Sequence, residues 1–163
     1  MKRPVFPALL TALVAAAWLG FAPAAQAQIN PGLHVARAAD TFGGSYGAGA
    51  SLELSFPLLP IDVFVAGDYF FPDCGTADGC GYMGGSADLH VSLPLPVLTP
   101  YGAAGLVYRQ FDAGDGFEAV THTGFGLGAG VNLGTLVLGG YAEARYEFVD
   151  PDDQLVFRLG IRF

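Results

Sequence analysis

The sequence predicts an all-β chain of eight antiparallel strands closed edge to edge. Three observations carry that prediction. Apolar residues recur at every second position in segment after segment. The connections between segments alternate between short uncharged turns and longer acidic loops. The two longest charge-free stretches are barred from being helices, since residues 89–108 contain Pro94, Pro96 and Pro100, and residues 119–142 contain Gly124, Gly126, Gly128 and Gly130.

Composition narrows the class further. The chain has 163 residues, 52% hydrophobic and 13% charged, with 24 Gly and a formal net charge of −8. That length allows one domain, and the apolar excess excludes a disordered chain. The charged fraction is about half the roughly 25% of an ordinary soluble domain. The negative balance argues against a nucleic-acid partner, because phosphate binding needs a basic face.

Residues 1–27 read as an address. Lys2 and Arg3 precede an apolar stretch that ends near Phe21, followed by Ala25-Gln26-Ala27. A positive start, a short apolar run and a small-x-small site predict a secretory signal peptide cleaved after Ala27. Pro7 and Pro23 cut the apolar run to about 15 residues, short of the ~20 a helical span needs. The mature chain, residues 28–163, keeps all 15 acids, five Arg and no Lys, a formal charge of −10. It loses Trp18, the only tryptophan.

The strands follow in order. Residues 32–40 are short and Ala-rich, and their phase is undecided. In residues 46–56 one face is Tyr46, Ala48, Ala50, Leu52, Leu54 and Phe56, with Ser51 and Glu53 opposite. In residues 61–71, Ile61, Val63, Val65, Tyr69 and Phe71 oppose Asp62 and Asp68. In residues 83–93, Met83, Ala87, Leu89, Val91 and Leu93 oppose Ser86, Asp88 and His90. Residues 101–111 accept either phase; placing Leu106 and Tyr108 on the apolar face puts Arg109 opposite. Phe125, Leu127, Ala129, Val131 and Leu133 alternate with glycines in residues 123–133. Residues 136–148 set Ala142, Ala144, Tyr146 and Phe148 against Tyr141, Glu143, Arg145 and Glu147. From Leu155 to the end, Leu155, Phe157, Leu159, Ile161 and Phe163 oppose Val156, Arg158 and Arg162.

These strands approach the ~9–11 residues that cross a bilayer with tilt. The longer loops, with Asp40 at the first boundary, hold nine of the 15 acids and no base. Short turns on one rim and longer polar loops on the other fit an eight-stranded antiparallel up-and-down transmembrane β-barrel with both termini on the turn side. A soluble barrel would place its apolar residues inside, and the polar face here carries too little to cover a wetted exterior. Closure leaves no unpaired edge in hydrocarbon. Tyr46, Tyr69, Phe71, Tyr82, Tyr108, Phe111, Tyr146 and Phe148 gather at the loop ends and are expected to form an aromatic girdle.

The last ten residues, 154–163, end on Phe163 with apolar residues at alternate positions, which resembles the C-terminal signature read by the bacterial barrel-assembly machinery. Together with residues 100–108 and the Gly-rich alternation of residues 124–130, the mature chain resembles the small eight-stranded outer-membrane β-barrel families, the opacity-protein and OmpA-like barrels. It departs from the OmpA-like proteins in lacking a peptidoglycan-binding domain, and from adhesins of this class in its short loops. The resemblance implies outer-membrane lipid as surroundings, the assembly machinery as a partner during biogenesis, and Phe163 as the assembly signal.

Candidate sites are few. Cys74 and Cys80 share one loop, and an oxidising periplasm predicts a disulfide between them. A metal centre there is short of ligands. The inward polar set is Glu53, Asp62, Asp68, Asp88, His90, Arg109, His122, Glu143, Arg145, Glu147, Arg158 and Arg162. Eight strands leave an interior that side chains nearly fill, so this set is expected to plug the barrel as an ion-pair network. The inward glycines keep a narrow channel or a small-ligand barrel open as the alternative. His122 invites comparison with outer-membrane lipid A deacylases, a lipid-modifying enzyme being the second alternative, but no serine lies two residues on and no nucleophile–base–acid set can be named. The acidic loops, residues 112–118 and 150–153, offer oxygen ligands for Ca²⁺ or Mg²⁺ without the spacing of a defined site. No catalytic residue, cofactor or metal ligand is expected, and the role is read as structural or surface-interacting, in a monomer.

Overall fold

A computed structural model describes residues 28–39, 44–56, 59–73, 80–93, 95, 98–112, 118–134, 139–151 and 153–163. Eight strands are formed: β1 (Gln28–Ala38), β2 (Ser45–Ser55), β3 (Ile61–Phe71), β4 (Gly81–Ser92), β5 (Leu98–Asp112), β6 (Val120–Gly134), β7 (Gly139–Phe148) and β8 (Gln154–Arg162). Each pairs antiparallel with the next, and β1 pairs with β8 to close the barrel.

The stagger can be followed round the wall. From Gln28 the register partners run through Ser55, Asp62, His90, Ala103, Gly128, Arg145 and Val156, returning to β1 at Ala38, ten residues further along. A stagger of this kind tilts the strands by roughly 35–45° to the barrel axis. The seam is the shortest ladder: β1 meets β8 only from Gly32 to Ala38, whereas β5 and β6 pair from Leu98 to Phe111.

Alternation decides which side chain faces where. Leu106 is 71% exposed and Leu159 62%, while Arg158 on the other phase is 2% exposed. Leu33, Leu52, Val65, Leu89 and Leu127 all join the outward face. The interior is charged and aromatic, and its two apolar clusters are small. One, at the loop end, is Ala36, Ala38, Phe70, Tyr82 and Val156. The other, towards the turn end, is Phe64, Ala66 and Tyr141.

Four details differ from the sequence reading. β1 begins at Gln28, because residues 28–31 pair with β2 before β8 is reached. Its phase, undecided from composition, puts His34 inside and Arg37 outside. Tyr82 and Phe111 are not girdle residues: Tyr82 is buried in the lumen, and Phe111 packs against the same cluster. Both sit on the inward phase of their strands, and alternation overrides the preference of an aromatic ring for the rim. β6 runs on to Gly134 and β7 begins at Gly139, so the expected strand residues Leu136 and Leu138 lie outside the described residues.

Candidate functional site

The lumen collects nearly all the charge of the barrel wall. All 12 polar residues predicted to face inward take the inward phase of their strands. Asp62 and His122 are partly buried near the two mouths, and the other ten are buried. His122 faces Arg109 across the β5–β6 ladder.

Asp68 stands at the centre. Arg158 grips it with two donors, Nε at 3.2 Å and Nη2 at 2.7 Å. Arg109 Nη1 approaches at 3.3 Å, and His34 Nε2 lies 2.8 Å from Oδ1. An ionised carboxylate can only accept, so His34 Nε2 carries the proton in that contact. Arg109 in turn holds Glu147 through Nε at 2.8 Å and Nη2 at 2.5 Å, a fork that fixes geometry as well as charge. Gln154 donates to Glu147 at 2.7 Å and accepts from the Tyr82 hydroxyl at 2.9 Å. Arg145 joins Asp88 to Glu147. Arg158 Nη1 reaches Glu143 at 3.1 Å, and the Tyr101 hydroxyl donates to Glu143 at 3.0 Å. One continuous network therefore runs from Tyr82 at the loop end to Tyr101 near the turns.

The turn end is arranged around rings. His90 is stacked between Phe64 and Tyr101, with centroids at 4.7 and 4.5 Å. Its ring nitrogens stand 3.9 Å from Glu53 and 3.6 Å from Glu143, beyond hydrogen-bond reach. Arg162 pairs with Glu53 at 2.7 Å, donates to Asn132 at 3.0 Å and lies over the Tyr141 ring at 4.4 Å.

The inward glycines are notches for these side chains. A methyl group at Gly84 would collide with the Arg109 guanidinium, and one at Gly126 with that of Arg145. Inward glycine had left a hollow bore open as a reading of the sequence. In the structure arginine occupies the space that glycine vacates.

Several lumen residues escaped the sequence reading. His34 was hidden by the undecided phase of β1. Tyr82 was read as a girdle ring. Gln154, buried and bonded to Glu147, sits just before the segment from which the last strand was counted. For Tyr101 the signal was present, since it shares the phase of Arg109 on β5.

The remaining candidates fall on other ground. Cys80 precedes β4, and Cys74 lies outside the described residues, as do residues 113–117 and Asp152 of the acidic loops. Asp153 caps the turn before β8, accepting from the Val149 amide at 3.0 Å. Among the described residues no group of three or more His, Cys, Asp or Glu is placed to hold a metal ion. Phe163 is exposed on the outer face, and its amide donates to Pro31 O at 3.0 Å.

No protein-family model matches the sequence, and no curated protein matches it. Solved structures do. The N-terminal β-barrel domain of Pseudomonas aeruginosa OprF superposes with a TM-score of 0.63 at 17% identity, over 85% of this chain and 98% of that one. Ail, the attachment invasion locus protein of Yersinia pestis, solved with the heparin analogue sucrose octasulfate, gives 0.59 at 16% identity, over 85% and 99%. Neisserial surface protein A gives 0.56 at 18% identity, over 82% and 94%. What the chain shares with these three is the fold: a single closed barrel of eight antiparallel strands.

Proposed function

We propose that this chain is an integral barrel of the bacterial outer membrane, with a structural or surface-interaction role and no catalytic one. The carrying observation is the exterior. Large apolar side chains stand exposed round the whole wall, among them Leu33, Leu52, Val65, Leu89, Leu106, Leu127 and Leu159. A soluble monomer rarely exposes a contiguous apolar patch beyond a few hundred Å². Hydrocarbon is the solvent that this surface fits. Tyr46, Tyr69, Phe71, Tyr108 and Tyr146 are exposed towards the loop ends, where amphipathic rings meet headgroups.

The filled lumen supports a plug in preference to a pore. Buried arginines are each committed to carboxylates, and a conducting path would have to break those pairs. The described residues offer no nucleophile with a base and an orienting acid, which favours a non-enzymatic reading. Ail and Neisserial surface protein A are named for attachment and for the surface, and the loop rim is where this chain would meet a partner. Residues 1–27 serve export, Phe163 serves recognition by the assembly machinery, and a Cys74–Cys80 bridge stiffens one loop. Acidic loop residues bridge to lipid phosphates through divalent cations. The barrel works as a monomer.

Expression of the full chain in a Gram-negative host tests this. The product is expected in the outer-membrane fraction, to need detergent for extraction, and to migrate faster unheated than heated in SDS gels. Planar-bilayer recordings should be silent, and lipid A mass spectra should be unchanged on overexpression. A monomer soluble without detergent would overturn the membrane reading; steady single-channel currents would favour the narrow channel.

A further inference from the structure

The outer wall carries one basic side chain among the described residues. Arg109, Arg145, Arg158 and Arg162 are buried in the lumen, and Arg37 alone points outward. Its guanidinium lies 5.3 Å from the centroid of the Tyr46 ring, on the neighbouring strand near the loop end. No acid among the described residues pairs with it. An arginine on the outer face is costly at the middle of the bilayer and tolerated near the interface, where Tyr46 marks the level. Arginine is also the side chain whose planar fork fits a phosphate with two donors.

Arg37 stands at the head of an apolar groove of about 820 Å³. One row of cross-strand neighbours crosses the wall from Tyr46 to Arg37, Phe157, Ala144, Ala129 and Gly102. Side chains are large at the Arg37 end and shrink along the row. At Gly102 an added methyl would meet nothing within 4 Å. Five inter-strand steps of ~4.8 Å make this path roughly 24 Å long, a length comparable with the ~30 Å hydrocarbon core. A cation at one end and a methyl-floored channel leading away match an anionic head joined to an extended chain.

We propose that Arg37 and this groove form a binding site for one membrane lipid with a net-anionic phosphate headgroup from the leaflet at the loop end. The phosphate sits on the Arg37 guanidinium beside Tyr46, and an acyl chain lies over Ala144 and Ala129. The site rests on the membrane reading above. It also offsets the acidic loops: nine of the 15 carboxylates lie there with no base among them and repel anionic headgroups close to the rim, and Arg37 gives the wall a fixed point of attachment to one of them.

Native mass spectrometry tests the site on the full-length product purified from outer membranes in non-ionic detergent, delipidated and titrated with phosphatidylglycerol. The wild-type barrel should retain one lipid, with phosphatidylcholine of the same chains held at least about tenfold less well. Arg37→Gln should lower phosphatidylglycerol retention about tenfold, and Arg37→Lys should restore part of it. Ala144→Phe, which fills the groove and leaves the cation, should also lower retention. Equal retention by wild type and Arg37→Gln, or of both lipids, overturns the proposal, as does full retention by Ala144→Phe or a dimer that carries no lipid. A wild-type barrel that needs detergent and keeps its heat-dependent mobility while retaining no lipid removes this site alone. The membrane reading falls only if the protein is soluble without detergent.

Discussion

The two ends of the lumen are built from the same residue types and differ in how fully those residues satisfy one another. At the loop end Arg109 and Arg158 commit their donors to acceptors, and Arg145, which keeps Nε and Nη2 without a hydrogen bond, still stands 3.3 Å from Glu147. Arg109 forks onto Glu147 and reaches Asp68, Gln154 bridges Glu147 to Tyr82, and Arg158 forks onto Asp68. At the turn end rings separate the charges. His90 is sandwiched by Phe64 and Tyr101, neither of its nitrogens has a hydrogen bond, and Arg162 keeps Nε and Nη2 without one. A buried charge is tolerable only when paired and hydrogen-bonded. The loop end should therefore be the rigid half of the plug, and the turn end the half that accepts substitution.

The largest expected effect comes from Asp68→Ala. It takes a carboxylate from Arg158, Arg109 and His34 at once, leaving Arg158 with Glu143, Arg109 with Glu147 and His34 Nε2 without its acceptor. Removing one partner of a buried pair costs about 3–5 kcal/mol. Urea unfolding of the barrel in lipid vesicles should show that loss. Gly84→Val comes next. The side chain occupies the place of the Arg109 guanidinium, and overpacking of this kind costs about 1–3 kcal/mol. The same titration reads it, with faster unheated-band loss in SDS as a second sign. Tyr101→Phe, towards the turns, removes one hydroxyl donor to Glu143 and should cost about 1–3 kcal/mol at most, since that acceptor still holds Arg158. His90→Phe should be the mildest, within about 1.5 kcal/mol of wild type, because a volume-conserving ring keeps both stacks and no hydrogen bond is lost. A His90→Phe loss equal to that of Asp68→Ala would erase the difference between the two halves.

Most of the wall was legible because alternation is a local signal. In β2 to β4 and β6 to β8 the apolar face of each strand could be read from its own residues, while β5 accepted either phase and takes the one that puts Leu106 and Tyr108 outside and Arg109 inside. β1 resisted for a physical reason. Its polar residues give opposed hints, His34 inside and Arg37 outside, with small Ala36, Ala38 and Ala39 between and beyond them. Only its register against β2 and β8 fixes which way they point. The partners within the network were illegible for the same reason. Asp68 and Arg158 are 90 residues apart and meet across the bore, which no spacing along a strand reports. Tyr82 and Phe111 misled because an aromatic ring near a loop suits a girdle equally well. For β1 and for the ion-pair network the long-range arrangement of the barrel made the decision; for Tyr82 and Phe111 the alternation of their own strands did.

Trp18, the sole tryptophan, lies in the segment expected to be removed, so single-tryptophan reporters can probe the wall against the lumen. The decisive measurement is fluorescence quenching by brominated lipid in vesicles, with Leu106→Trp, Leu127→Trp and Leu159→Trp outside and Tyr141→Trp inside. Strong quenching at the first three positions and little at the fourth is the predicted result. Outward reporters that escape the bromine and are quenched by aqueous acrylamide instead would contradict it.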